Sequence, residues 1–195
     1  MAVGRIVYFD RPGKANTAAV VEAVRERRAE LGIEHVVAAS NTGATALALC
    51  EALKDAGVTL VAVGEHAGFR GGDQQDLSDE QRRALEEKGI KVLIGSHALS
   101  GVGRSVTNKF GGITHVEIIA QTLKQFGGEG IKVAVEVAVM AADAGLVPTD
   151  REIIAVGGSG GGADTAVVLK AAHMNNFFDL EIREIIAKPR QRKKG

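Results

Sequence analysis

Four short runs of apolar and β-branched residues, at 36–39, 59–63, 92–94 and 153–156, are separated by stretches with a helical repeat. Such alternation builds a mostly parallel sheet with helices on both faces, because parallel neighbours need a crossover and doubly covered strands read as unbroken apolar sequence. The join after the fourth run breaks the pattern. Only residues 157–164 separate it from the next run, 165–169, whereas a parallel crossover takes about 12 or more. The fifth strand therefore runs antiparallel to the fourth. With 182–187 as a sixth strand, the predicted order is 3-2-1-4-5, the sixth at or near that edge, with right-handed crossovers. The fold class is α/β, three-layered and mostly parallel with an antiparallel edge.

The helices follow from stripes and stops. Asn16 or Thr17 caps a helix running to about Leu31, with Val20, Val24 and Leu31 on its stripe, Val21 beside it and Gly32 after it. A helix over 43–56 aligns Ala46, Leu49, Cys50 and Leu53 on one face, which makes Cys50 core filler. Ser78 and Gln81 form a capping box for a helix over 78–88, and Thr114 caps one with Val116, Ile119, Ala120 and Leu123 on its stripe. Residues 131–144 are nearly all apolar and read as a buried helix, within which Glu136 suits a paired structural carboxylate. Residues 1–15 form an extended start, and the basic tail from 188 reads as a solvated end.

The 195 residues suit one domain, 1–195, and are too few for a (β/α)₈ barrel of about 250 residues with anything added. Lys and Arg number 24 against 24 Asp and Glu, and aromatics are 4% without Trp; both argue against a nucleic-acid partner, by basic face or by stacking. Cys50 is alone, which excludes an intrachain disulfide and a Cys-rich metal site. The first six residues lack a signal-peptide core and no apolar run reaches about 18 residues, so a cytoplasmic protein without membrane contact is expected. Walker A, Gly-x-Ser-x-Gly, CxxC and HExxH patterns are absent.

In the predicted order the first and fourth strands are neighbours at a topological switch point, where open α/β sheets bind ligands. Two turns leave the sheet there. Ser40, Asn41, Thr42, Gly43, Ala44 and Thr45 enter a helix with free N–H groups, hydroxyls and small side chains, chemistry that suits a phosphate and equally an ordinary N-cap. Residues 157–162 are five glycines and Ser159, more than a turn needs, and read as a backbone wall against a ligand or a flexible hairpin. Gly158-x-Gly160-x-x-Ala163 matches the dinucleotide fingerprint in form, but the match requires a helix directly after Ala163.

Two long loops are expected on the same edge. Residues 64–77 carry Gly64, Glu65, His66, Gly68, Phe69 and Arg70; residues 95–113 carry His97, Ser100, Arg104, Lys109 and Phe110. Arg104 and Lys109 are candidates to neutralise a phosphate, and Phe69 or Phe110 to cover a flat ring. His66 and His97 each follow a strand end and are acid–base candidates; no third ligand accompanies them, so no metal site is assigned. His173 belongs at the opposite edge.

Taken together, these residues resemble the C-terminal α/β domain of pyruvate kinase over about 16–170. The 40–45 turn is similar to that domain's Ser/Thr-Gly-x-Thr loop, which holds a sugar phosphate of the allosteric activator, and Ser159-Gly160 with Thr165 and Val167-Val168 to its Gly-Ser-Gly loop and last antiparallel strand. Closer still is a family of stand-alone bacterial and archaeal proteins of this fold. Its pattern includes Pro12-Gly13 with Asn16-Thr17, His66-Ala67-Gly68-Phe69, His97 with Leu99-Ser100-Gly101, Lys109-Phe110-Gly111-Gly112 and Gly162-Ala163-Asp164-Thr165-Ala166. That family's glycine loop often carries a basic residue where this chain has Gly161. The resemblance implies a binder of flavin mononucleotide (FMN), a phosphorylated small molecule, without the barrel that transfers phosphoryl groups. The phosphate is expected on the 40–45 turn and the ring against Gly158, Ser159 and Gly160, with the His66–Phe69 and His97–Gly101 loops closing over it. Rival readings are a sugar-phosphate-sensing module and, through the fingerprint, a nicotinamide oxidoreductase. A homo-oligomer is expected, with 175–178 (Asn-Asn-Phe-Phe) either a contact patch or core. The sequence does not decide whether the protein catalyses a reaction.

Overall fold

The computed structural model describes residues 4–192. Its sheet has seven strands: β1 (Val7–Phe9), β2 (His35–Ala39), β3 (Thr59–Glu65), β4 (Lys91–Gly95), β5 (Glu152–Gly157), β6 (Thr165–Lys170) and β7 (Glu181–Pro189). The order is β1-β7-β6-β5-β2-β3-β4. The predicted 3-2-1-4-5 is thus β4-β3-β2-β5-β6, with the sixth run, β7, beside β6. β2 pairs parallel with both β3 and β5, whereas β5 and β6 are antiparallel, as the short join requires.

Alternation within the strands divides the core. Val36 and Ala38 of β2 face α1 (Thr17–Leu31), α2 (Ala44–Ala52) and α3 (Asp79–Glu86). Val37, between them, faces α6 (Glu129–Asp143) together with Val61, Ala155 and Val167. α5 (His115–Gly127) packs on the outer side of α6, where Leu99, Ala120 and Val135 form a smaller cluster. Covered on both sides, α6 buries all but three of its residues, including Lys132 and Glu136. Cys50 packs half-buried against the α1–α3 core. The capping boxes at Ser78 and Thr114 both form.

Five expectations need correction. Leu31 is exposed rather than on the buried stripe, and α2 stops at Ala52, ahead of a turn in which Asp55 adopts φ 64°. The start is extended through β1, which pairs with β7, but Lys14 and Ala15 at its end already belong to a short 3-10 helix, Lys14–Asn16. The 95–113 loop contains a helix, α4 (Val102–Phe110), whose ends are set by Gly101 and Gly111 at φ 56° and 77°. The basic tail is docked at its base, whereas the side chains of Arg190, Gln191 and Arg192 are exposed as expected. Lys188 and Pro189 belong to β7, Lys188 Nζ donates to the Phe126 carbonyl at 2.8 Å, and the Arg190 N–H donates to Phe9 O at 2.8 Å. Residues 193–195 of that tail, and 1–3 of the start, lie outside the described residues. In the 175–178 patch, Phe177 packs with the α5–α6 cluster while Phe178 is exposed.

Two glycines let α6 reach the sheet. A Cβ on Gly157 would run into the Gly130 carbonyl oxygen and come within 2.9 Å of the Ala134 nitrogen, both backbone atoms that cannot yield locally. Overpacking costs about 1–3 kcal/mol in well-packed cores. Gly157→Ala is expected to lower the unfolding free energy by at least that range, read from the urea midpoint at unchanged m-value; an unchanged midpoint would show that helix and strand are not in this register.

Candidate functional site

β2, β3, β4 and β5 run parallel, so the segments leaving their carboxyl ends gather on one edge of the sheet. The strand order reverses between β2 and β5, which makes this edge the switch point. A cavity of about 710 Å³ opens there, lined by the 40–45 turn on one side and by Gly158, Gly160, Gly161 and Gly162 on the other.

Local chemistry shapes both walls. Gly43 takes φ 80° at the head of α2, and the Ser40 hydroxyl accepts the Ala46 N–H at 3.2 Å. A helix leaves its first N–H groups without intrahelical partners. Among the described residues no acceptor meets those of Ala44 and Thr45, which line the cavity at the positive end of the helix dipole. Opposite, Gly160, Gly161 and Gly162 have φ of 87°, 114° and 65°, which explains the glycines. Asp164, fully buried, holds this loop: its carboxylate accepts the Gly13 N–H at 2.8 Å, the Ser159 N–H at 3.1 Å and the Thr165 hydroxyl at 2.8 Å. The Thr17 hydroxyl accepts the Ala163 N–H at 3.0 Å and donates to Lys14 O at 2.8 Å. The 11–17 segment is thereby fastened to the glycine loop, and Lys14 and Thr17 join the cavity wall.

A smaller hollow of about 380 Å³ adjoins, sharing Glu65, His97, Glu129, Val133 and Glu136 with the first. The Glu136 carboxylate accepts from Lys132 Nζ at 2.6 Å and from the Leu99 N–H at 2.9 Å, so the residue read as a paired structural carboxylate also anchors the loop carrying His97. Burial holds the His97 pKa below the ordinary histidine value, Lys132, His66 and Arg104 add to this, and only Glu136 opposes it. Burial likewise raises Glu65, with Asp76 adding to the effect and Asn41 and Arg70 opposing it. Arg70 is committed to Asp76 at 2.9 Å and lies 3.8 Å from Glu65. Lys14 has no carboxylate within 4.0 Å among the described residues and is the unmatched cation of the larger cavity.

Of the residues singled out in the sequence, Ser40, Asn41, Thr42, Ala44, Thr45, Gly64, His97, Gly158 and Gly160 line the larger cavity. Gly43 and Ser159 shape its turns from within. Phe69 and Arg104 line only the smaller hollow; His66 and Gly68 line neither, although the His66 ring stands 5.8 Å from that of His97 and 5.6 Å from that of Phe69. Lys109 and Phe110 lie away from both, Phe110 largely in solvent, because α4 turns them outward. His173 pairs with Asp143 at the far end of α6, as its strand direction implied. Thr165–Lys170 is a strand, so the helix that a dinucleotide fingerprint demands after Ala163 is absent, and the nicotinamide reading falls. Lys14, Thr17 and Asp164 are not among the site residues expected from the sequence, although Thr17 is read there as a helix cap and Asp164 as part of the family pattern. The one local signal is an Asp set immediately before an apolar strand and separated from a glycine run by Ala163 alone.

The model of the pyruvate kinase alpha/beta domain matches residues 18–169. Among solved structures, the chain is similar to a Cryptosporidium parvum pyruvate kinase at 14% identity and a TM-score of 0.40, over 83% of this chain and 24% of that one. It is also similar to the Cryptosporidium parvum pyruvate kinase in complex with ADP at 16% identity and a TM-score of 0.38, over 80% and 23%. The chain spans about a quarter of the length of these enzymes.

Removing the Asp164 carboxylate strands three donors, two of them buried and the Gly13 N–H half-buried; a buried donor left unpaired costs about 1–3 kcal/mol. Asp164→Ala is expected to destabilise the protein by about 3 kcal/mol or more in urea unfolding, and Asp164→Asn by less. For His97, the folded state binds its proton less tightly than the unfolded chain, so protonation favours unfolding and stability falls as pH drops through the ordinary value of 6.5. Its imidazole resonance should titrate below 6.5 by NMR, and wild type should lose more stability than His97→Asn between about pH 7 and pH 5.

Proposed function

Because the chain belongs to the family of pyruvate kinase alpha/beta domains, we propose that it is a cytoplasmic binding protein for a phosphorylated small molecule, FMN before others, with no phosphoryl transfer of its own. The observation that carries this reading is that two glycine-bearing turns, 40–45 and 158–162, line one cavity at the switch point with an unmatched lysine beside them. Its size is within the ~300–1,000 Å³ usual for small-molecule sites. The phosphate takes the N–H groups of Ala44 and Thr45 and the hydroxyls of Thr42 and Thr45, and Lys14 supplies the counter-charge that the glycine loop lacks. The ring system lies against Val133, Val137 and His97, with Gly158 to Gly160 as the opposite wall. His97 is the acid–base candidate of this site, since its half-buried imidazole lines both hollows.

A sugar phosphate is the second reading, and one observation favours it: among the described residues lining the larger cavity, the His97 imidazole is the only ring. A hydroxyl-rich ligand would use Asn41, Thr42 and Thr45 where a flavin needs an apolar face.

Titration of FMN, followed by quenching of its fluorescence, should show saturable binding, with riboflavin at least about 100-fold weaker because it lacks the anion. Lys14→Gln should weaken FMN by about tenfold. In a parallel thermal-shift series, the true ligand stabilises by RT ln(1 + [L]/Kd), about 2.7 kcal/mol at a hundredfold excess. Stabilisation by fructose phosphates with none by FMN would replace the first reading by the second; equal binding of riboflavin and FMN would remove the phosphate from both.

A further inference from the structure

The smaller hollow has chemistry of its own. Apolar surface comes from Phe69, Leu99 and Ile113, and charge from three cations and four carboxylates. Three of the carboxylates are occupied. Glu117 accepts from the Thr107 hydroxyl and from the N–H and hydroxyl of Thr114. Glu129 pairs with Lys124 at 3.0 Å and Glu136 with Lys132. The fourth, Glu65, lies by Arg70, and burial biases it toward its neutral form.

Arg104 is different. Among the described residues its guanidinium meets no carboxylate within 4.0 Å and no hydrogen-bond acceptor; it stands 5.8 Å from the centre of the Phe69 ring. Glu117 attracts Arg104 only from beyond ion-pair distance, so the hollow pairs an aromatic and aliphatic wall with one planar cation free of direct hydrogen bonds, whose parallel donors match a carboxylate in two hydrogen bonds. A lone sulfate or phosphate would use the cation and waste the apolar wall, whereas a neutral apolar molecule would do the reverse.

We propose that this hollow is a second ligand site, for a small organic acid with an apolar body, anchored by its carboxylate on Arg104 and packed against Phe69, Leu99 and Ile113. It is separate from the phosphate site and does not depend on it. The two meet only at the shared wall, where His97 faces both occupants.

Benzoate is a suitable probe, with benzamide as its uncharged counterpart of nearly equal shape. Saturation-transfer NMR titrations on the full-length protein without added FMN should give benzoate a Kd of about 1 mM or tighter, with benzamide at least about tenfold weaker. Arg104→Gln should weaken benzoate about tenfold, while Lys14→Gln leaves it unchanged. Arg104 is exposed and makes no hydrogen bond or ion pair among the described residues, only its approach to the Phe69 ring, so its replacement should move the thermal midpoint little and confine the effect to binding. The proposal is overturned if benzoate does not bind, if benzamide matches it, if Arg104→Gln binds it as wild type does, or if Lys14→Gln is the variant that loses it. An FMN titration on the same samples reports separately on the larger cavity, so either reading can fail without the other.

Discussion

The seating of α6 against β5 is the contact on which the crevice depends. With no side chain at Gly157, β5 meets the α6 backbone at Gly130 and Ala134 closer than any Cβ permits, and the bare Gly130 leaves room for the Thr165 and Asp164 side chains. That approach brings Glu129, Val133 and Glu136 into the wall between the two hollows and Val137 into the larger one. It also explains how a charged pair survives inside an otherwise apolar helix. With the sheet on one side and α5 on the other, Lys132 and Glu136 have little access to solvent, a costly position unless each charge is answered. Glu136 is answered twice, by the ammonium and by the Leu99 N–H. The second bond converts a desolvated helix residue into the anchor of the loop that presents His97.

Much of this fold was legible because local length rules carry topological information. Eight residues between two strand-like runs cannot hold a crossover, which fixes an antiparallel pair and, with it, the edge of the sheet on which the turns gather. Where the reading failed, the physics was non-local or ran against a usual sign. β1 is three residues whose side chains are mostly exposed, ordered by a partner strand almost the whole chain away. α4 was hidden by the glycines that bound it, and its apolar positions Val102, Val106 and Phe110 fall on one face that points to solvent instead of the core. An apolar stripe normally signals burial; here it does not.

The site divides along the same line. Turn residues 40–45 and 158–160 could be singled out because small side chains, hydroxyls and positive-φ glycines are themselves the chemistry of close backbone approach. Asp164, Thr17 and Lys14 could not, since their roles arise from hydrogen bonds spanning 146 and 151 residues. A lysine after Pro12-Gly13 says nothing until the glycine loop is known to rest against it. Phe110 and Lys109 were the converse, residues of apt chemistry that a helix carries to the wrong side.

Burial has a further consequence for how charge is distributed along the crevice. At the wall shared by the two hollows it drives His97 and Glu65 in opposite pKa directions but toward the same outcome, the uncharged form, while Lys132 and Glu136 neutralise one another. The unanswered cations lie elsewhere, Lys14 on the larger cavity and Arg104 on the smaller, each lining one hollow only. An anionic ligand in either space therefore lowers its energy by turning its charged end toward its own cation and its neutral end toward the shared wall. Two such ligands would meet by their uncharged ends at the His97 imidazole, which in its neutral form carries both a donor and an acceptor. With Lys14 and Arg104 at opposite ends of the crevice, such ligands would be oriented by the placing of the cations before any specific contact to their neutral ends is made.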